Sequence, residues 1–296
     1  MRSLVVIALL TACASASEQS ASTSARARSS YLAVPGGRIY FEEAGKGVPV
    51  VLIHGGFGDR RMWDAQFNEL ARDFRVVRYD HRGFGNSTAP DSVYSPVRDL
   101  LQLLDQLGIA RAHIIGNSVG GGVALDFAVL YPERVHKVVV VASGANGYPY
   151  SADDVAGIVA VFRAAEAQGV DRAAELWLQD PMIAIASKHP RSADLVRRMI
   201  QDNRNIFRME HWPEGKLKPS AYDRLNELRM PVLFVVGEND TPVVQRASGA
   251  SAARVSGAET FRMPGADHLP QMTHPDVFTQ RVTAFLQQPA TTRSDP

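Results

Sequence analysis

The stretch Val48 to Ile53 is a continuous apolar run that stops at His54-Gly55-Gly56. Five or six consecutive apolar residues bounded by glycine fit a strand covered on both faces, not one that is half solvated. Similar runs recur at Phe74 to Tyr79, Ala112 to Ile115, Val135 to Ala142, Pro231 to Val236 and Thr260 to Met263. An alternating run from Arg38 to Glu43 adds an exposed early strand. Between most of these lie helical patterns, at Arg60 to Ala71, Val97 to Leu107, Val119 to Leu130, Thr241 to Ala252 and Pro275 to Leu286. Strands alternating with helices predict an α/β fold, a mostly parallel sheet with helices on both faces.

The rhythm breaks once. Residues 144–226 are Ala-, Arg- and Glu-rich with helical spacing and carry no comparable strand run, so they are expected to form a helical cap inserted into a core made of 31–143 and 227–288. The cap's apolar residues include Phe162, Trp177, Met182, Ile200, Met209 and Trp212. Most should pack the cap itself, and a few should face a pocket between cap and sheet, because ligand sites in open α/β folds lie beyond the carboxyl ends of the strands.

The N-terminus reads as a targeting segment. Arg2 precedes an apolar stretch, Leu4 to Leu10, that is too short to span a bilayer. Leu10-Thr11-Ala12-Cys13 is similar to a bacterial lipobox, which would make residues 1–13 a signal segment and Cys13 the lipid attachment point, anchoring the protein to a membrane of the cell envelope. The rival is cleavage after Ala14-Ser15-Ala16, which would discard Cys13 and release a soluble secreted or periplasmic protein. Residues 14–30, rich in Ala, Ser, Thr and Arg, read as a flexible tether, with folding beginning near Tyr31. Cys13 is the only cysteine, so no disulfide and no zinc-type cluster is expected. The 32 basic and 31 acidic residues are spread along the 296 and form no stripe that would track nucleic acid.

Gly116-Asn117-Ser118-Val119-Gly120 fits G-x-S-x-G between a strand run and a helical pattern. In such an elbow the serine takes a strained backbone conformation that lifts its hydroxyl from the sheet. Outside that setting the serine would be a turn or N-cap residue. A serine nucleophile needs a histidine base and a carboxylate to orient it. Asp240 and His268 supply them in the chain order of this architecture, each just past a predicted strand. Glu238 reads as a solvated loop charge, and Asp267, next to His268 on an extended chain, as a poor orienter of its neighbour. Of the other histidines, His54 reads as structural, His81, His136, His189 and His211 lack a partner pattern, and His274 starts a helix before Pro275. Acyl transfer also needs backbone donors for a developing oxyanion. Val119 supplies one, and the glycine loop after the Val48 to Ile53 strand the other, with Gly56 first choice and Phe57 second.

With these residues in place, the chain resembles the α/β-hydrolase superfamily from Tyr31 to Leu286, through VVLIHGGFGDRRMWD, VVRYDHRGFGNS, AHIIGNSVGGGVALDFAVLYPERV, PVLFVVGEND and GADHLPQMTHPDVFTQRVTAFL. The first three stretches are similar to the branch containing 3-oxoadipate enol-lactonase and related esterases and carbon-carbon bond hydrolases. The resemblance implies Ser118 as nucleophile, Asp240 as acid and His268 as base, with Gly56 and Val119 at the oxyanion positions and no cofactor. Two residues depart from the common pattern: Val119 stands where many relatives have Met, and Asp267 where many have Gly. Serine at 118 separates the chain from the haloalkane dehalogenase and epoxide hydrolase branches, which attack with a carboxylate. The expected activity is cleavage of small esters or lactones through an acyl-enzyme. Carbon-carbon bond hydrolysis, haloperoxidase-like perhydrolysis and a ligand receptor on the same fold are the alternatives.

Overall fold

The computed structural model describes residues 27–208 and 217–289. Eight strands form one sheet: β1 (Arg28–Val34), β2 (Gly37–Ala44), β3 (Pro49–Ile53), β4 (Arg75–Tyr79), β5 (Ala112–Asn117), β6 (Val135–Val141), β7 (Val232–Gly237) and β8 (Glu259–Met263). Their spatial order is β1-β2-β4-β3-β5-β6-β7-β8. β1 and β2 pair antiparallel, as do β2 and β4, and every other pairing is parallel. All six residues of β5 are buried, which is what a central parallel strand covered on both faces requires.

Helices cover both faces. α1 (Asp64–Leu70) follows a 3-10 turn at Arg60–Trp63, and α2 (Pro96–Gln106) and α3 (Val119–Leu130) precede β6. Between β6 and β7 come α4 (Ala152–Gln168), α5 (Val170–Gln179), α6 (Ala193–Asp202) and the short α7 (Ala221–Arg224). α8 (Pro242–Ala252), α9 (Pro270–Thr273) and α10 (Pro275–Gln287) complete the chain. One apolar layer joins α1, α10 and the insertion to a sheet face through Trp63, Phe67, Trp177 and Phe278. The other packs α2 and α3 against the opposite face through Leu100, Leu103, Phe127 and Ile114.

Two differences from the sequence reading have local causes. The strand at Arg28–Val34 begins inside the expected 14–30 tether, three residues before Tyr31. Only Leu32 and Val34 of it are buried, so it shows little alternation, and the ladder from Arg28↔Glu43 onward, with the Arg28–Glu43 ion pair, holds Arg28 to Ser30 in place. The insertion contains no strand among the described residues, but its edge at 226 falls late, since Ala221 and Leu225 belong to the α2 and α3 layer together with Ala145 at its other end. The two stems touch, the Tyr222 N–H donating to Asn146 O at 3.0 Å. Cys13, the signal segment and residues 14–26 of the tether lie outside the described residues, as do Met209, His211 and Trp212. Among the described residues no helix is long and apolar enough to cross a membrane.

Close cover on both faces has an electrostatic consequence at His113 of β5. Burial, with the neighbouring charges of His136, Lys137 and Arg111, lowers its pKa to about 3. Below the ordinary imidazole value the unfolded chain binds a proton that the fold refuses, so stability held above pH ~6.5 is lost as pH falls, by up to about 1.4 kcal/mol per pH unit. Thermal unfolding at pH 7 and pH 5 should therefore show a smaller acid-induced drop in Tm for His113→Leu than for the wild type. An equal drop would assign the acid sensitivity to other groups.

Candidate active site

Ser118 sits between β5 and α3 with φ 51° and ψ −116°, a backbone region that L-residues rarely occupy. The turn is possible because its flanks are glycine. A Cβ on Gly116 would stand 2.1 Å from Gly120 O, and one on Gly120 would stand 2.5 Å from Ile53 O. Strand and helix thus approach more closely than any side chain permits. The other two non-glycine residues with positive φ, Phe57 at 58° and Ala142 at 49°, also lie past strand ends on this rim, so strain concentrates around the serine.

The loop after β7 brings Asp240 to the same rim and the loop after β8 brings His268. Both are buried, and His268 Nδ1 meets Asp240 Oδ2 at 3.0 Å. A carboxylate only accepts, so Nδ1–H donates, which in the neutral ring leaves Nε2 as the acceptor, and His268 lines the cavity that Ser118 also lines. Asp240 is itself oriented, Oδ1 accepting the Thr241 N–H at 2.7 Å. Burial acts to lower the His268 pKa, but the charge and hydrogen bond of Asp240, with Asp267 and Asp180 adding to them, outweigh it and hold the imidazole above its ordinary value. Among the described residues Ser118 Oγ forms no hydrogen bond to His268, a looseness common in unliganded sites.

Val119 is the first residue of α3, so its N–H has no partner within the helix. Gly56 lines the same cavity beside it, where an added Cβ would lie 3.4 Å from Val119 Cγ2. Phe57, the second choice, packs its ring on Trp177 and Phe207 at centroid distances of 4.5 and 5.0 Å. His54 anchors this loop. Its Nε2 accepts the His81 N–H at 2.8 Å, which requires the neutral ring with its proton on Nδ1, facing Gly55 O at 2.7 Å. Burial lowers its pKa and preserves that form.

The cavity has two lobes that meet at Ser118, Val119, Ile158, Met182 and His268. The narrower, about 80 Å³, is walled by Met62, Trp177, Ile183, Val196, Met199 and Ile200. The wider, about 230 Å³, presents Ser143, Asn146, Tyr150 and Asp154 with Val155 and Val243. Of the insertion residues noted from sequence, Trp177, Met182 and Ile200 reach the cavity, while Phe162 stands behind Phe57 at 5.8 Å.

Two residues act here in ways the sequence reading did not foresee. Asn117, fully buried, donates from Nδ2 to His268 O at 3.1 Å and so ties the histidine loop to the serine turn. Asp267, which does not orient its neighbour's ring, is fully buried and bonded to the insertion through the Ala186 N–H. An asparagine beside the serine gave some hint of the first, and nothing in the local sequence pointed to the second. Glu238 is exposed, as expected, and accepts the Gly265 N–H at 3.3 Å. His274 stands at the N-cap of α10. Among the described residues no group of His, Cys, Asp and Glu is placed to hold a metal.

A family model described as alpha/beta hydrolase fold matches residues 48–275. The chain is 28% identical over 270 residues to the 2-hydroxy-6-oxononadienedioate/2-hydroxy-6-oxononatrienedioate hydrolase of Escherichia coli, covering 85% of this chain and 92% of that protein. Its structure is similar to that of a thermophilic esterase from Thermogutta terrifontis, with a TM-score of 0.73, 28% identity and coverage of 88% of this chain and 98% of the other. At 24% identity it shares the fold of the enol-lactonase from Burkholderia xenovorans, with a TM-score of 0.74 over 88% of this chain and all of that one.

The raised His268 pKa gives a stability signature opposite to that of His113. A group that binds its proton more tightly when folded adds stability that is full below the unfolded pKa of ~6.5 and is lost as pH rises through the folded value. Asp240→Asn removes the main cause, so its Tm deficit relative to the wild type should be larger at pH 6 than at pH 9. In the same variant the His268 imidazole, followed by NMR, should titrate at lower pH. A deficit independent of pH would mean that the pair is not charge-coupled.

Proposed function

The chain belongs to the alpha/beta hydrolase fold family, and from that membership we propose that it is a serine hydrolase cleaving uncharged carboxylic esters or lactones through an acyl-enzyme. The observation that carries the reading is the 3.0 Å contact of His268 with Asp240, where His268 lines the cavity that Ser118 also lines. His268 Nε2 takes the Ser118 proton as Oγ attacks the carbonyl carbon. The oxygen turns negative between the N–H groups of Val119 and Gly56, with Phe57 the other candidate donor. His268 returns the proton to the departing alcohol oxygen, and water repeats the sequence to free the acid. Activity then needs neutral His268, so kcat/KM should fall on the acid side through a pKa above the ordinary imidazole value.

The substrate class is argued from the lining. Among the described residues no lysine or arginine borders either lobe, and the one carboxylate that does, Asp154, is engaged by Arg246 at 2.6 Å. A substrate carboxylate would leave water without a countercharge. This favours the ester and lactone reading over carbon-carbon cleavage of a dicarboxylate such as the one named for the Escherichia coli relative. Lipid attachment at Cys13 completes the proposal and rests on the lipobox alone, so the mature N-terminus should carry lipid on Cys13 by mass spectrometry. A chain starting at Ser17 would remove the anchor.

A fluorophosphonate probe should label the wild type and leave Ser118→Ala unlabelled, and p-nitrophenyl butyrate hydrolysis should vanish in that variant. Folded wild type that resists labelling would instead favour the receptor alternative. The corresponding hemisuccinate ester should show kcat/KM lower by about tenfold or more, equivalent to about 1.4 kcal/mol in the barrier. Equal rates on both would refute the uncharged substrate class while sparing the nucleophile.

A further inference from the structure

Asp267 is more deeply committed to the fold than a loop aspartate needs to be. It is fully buried, and its two oxygens take different backbone donors: Oδ1 accepts the Leu269 N–H at 3.1 Å and Oδ2 the Ala186 N–H at 2.7 Å. The first donor belongs to the loop that carries His268. The second belongs to turns of the insertion at 181–191, 81 residues away in sequence. Those turns also carry Met182 and Ile183, which wall the narrow lobe. The Ala186 peptide is gripped from its other side as well, because buried Ser192 donates from Oγ to Ala186 O at 2.8 Å.

No cation pairs with Asp267 among the described residues, so its charge is carried inside the protein largely by these peptide dipoles. Burial accordingly raises its pKa, and the two N–H bonds and the nearby His268 oppose that rise. Burying a carboxylate without a full countercharge is costly. A device needed only to close a loop could use a neutral group. What a carboxylate adds is two strong acceptors on one rigid fork, one for each of two segments that must keep register.

We propose that Asp267 is a positioning residue that couples the insertion's wall of the narrow lobe to His268, so that a group filling this lobe sets the alignment of the base. The inference rests on the serine hydrolase reading, in which His268 is that base. Met182 or Ile183, displaced or braced by an acyl chain, moves the Ala186 peptide, and Asp267 passes the change to the Leu269 peptide and thus to the imidazole. The ring is bonded to Asp240 and lies in the field of two further carboxylates, those of Asp267 and Asp180. Asp267 therefore contributes both placement and field.

The test compares p-nitrophenyl acetate with p-nitrophenyl butyrate, with kcat expressed per serine labelled by fluorophosphonate so that loss of folded enzyme is excluded. Asp267→Asn keeps the size, loses the charge and turns an amide N–H2 toward one of the two donors. Its kcat on the butyrate should fall about tenfold and on the acetate by less than about threefold, differing by under 1 kcal/mol from the wild-type barrier in the second case. KM should change little, and the acid limb of kcat/KM should move to lower pH. Ser192→Ala, which touches neither Asp267 nor His268, should erode the same chain-length preference by a smaller factor and have no further effect in the Asp267→Asn background. If Asp267→Asn folds poorly, the preference of Ser192→Ala alone decides. An unchanged acetate-to-butyrate ratio in the folded variants, or an unmoved acid limb in Asp267→Asn, overturns the coupling. Turnover surviving in Ser118→Ala would instead overturn the reading on which it rests.

Discussion

The rim of the sheet depends on how closely α3 can approach β3 and β5. With 2.1 Å between a would-be Gly116 Cβ and Gly120 O, and 2.5 Å between a would-be Gly120 Cβ and Ile53 O, these contacts are made by backbone alone. That closeness goes with the positive φ of Ser118, sets Val119, the first residue of α3, beside the cavity, and fixes the separation of the serine turn from the loop of Gly55 and Gly56. Side chains elsewhere can repack, but here there is none to move. The strain is offset by the two apolar layers that clamp β5 between helices, since a turn with little burial around it would relax.

Three buried imidazoles on and beside the sheet have their pKa values moved in opposite directions. His54 and His113 are kept neutral by burial, one to accept a peptide N–H and the other within the sheet. His268, equally buried, is drawn the other way by carboxylates on loops after β7 and β8. Desolvation is common to all three, so the local countercharge decides which imidazole takes a proton. Backbone hydrogen bonds then hold His268 from two directions, through Asn117 below and Asp267 toward the insertion.

Much of this was legible in the sequence, for identifiable reasons. Strands buried on both faces leave largely apolar runs, so β3 through β7 appear with nearly their observed limits, and β8, an edge strand with only Met263 buried, appears from its short run before a glycine loop. β1 does not, because an edge strand with two buried residues owes its existence to the β2 ladder and not to its own pattern. Ser118, Asp240 and His268 stood out because each follows such a run, where the fold gathers side chains at one rim. Alternation along an extended segment marks Asp267 only as a poor orienter of its neighbour, and its burial stays hidden because the partner that buries it, the Ala186 peptide, is supplied from 81 residues away. Which insertion residues reach the cavity was equally invisible, since Trp177, Met182 and Ile200 differ from their neighbours only by the direction in which three helical segments and a series of turns lay them down.

The touching stems of the insertion, Tyr222 on Asn146 at 3.0 Å, make it a closed excursion from the sheet. Its ends meet where β6 has finished and before β7 begins, so the loop is closed at its base as well as by contacts farther out such as Ala186 on Asp267. The length and content of the excursion can then change while β6 and β7 keep their pairing, because each added residue costs little once the stems are joined. The sheet with its rim and the chamber above it are in this sense two units, joined at a neck of two peptide groups and locked together farther out by bonds such as that of Asp267 to the Ala186 N–H.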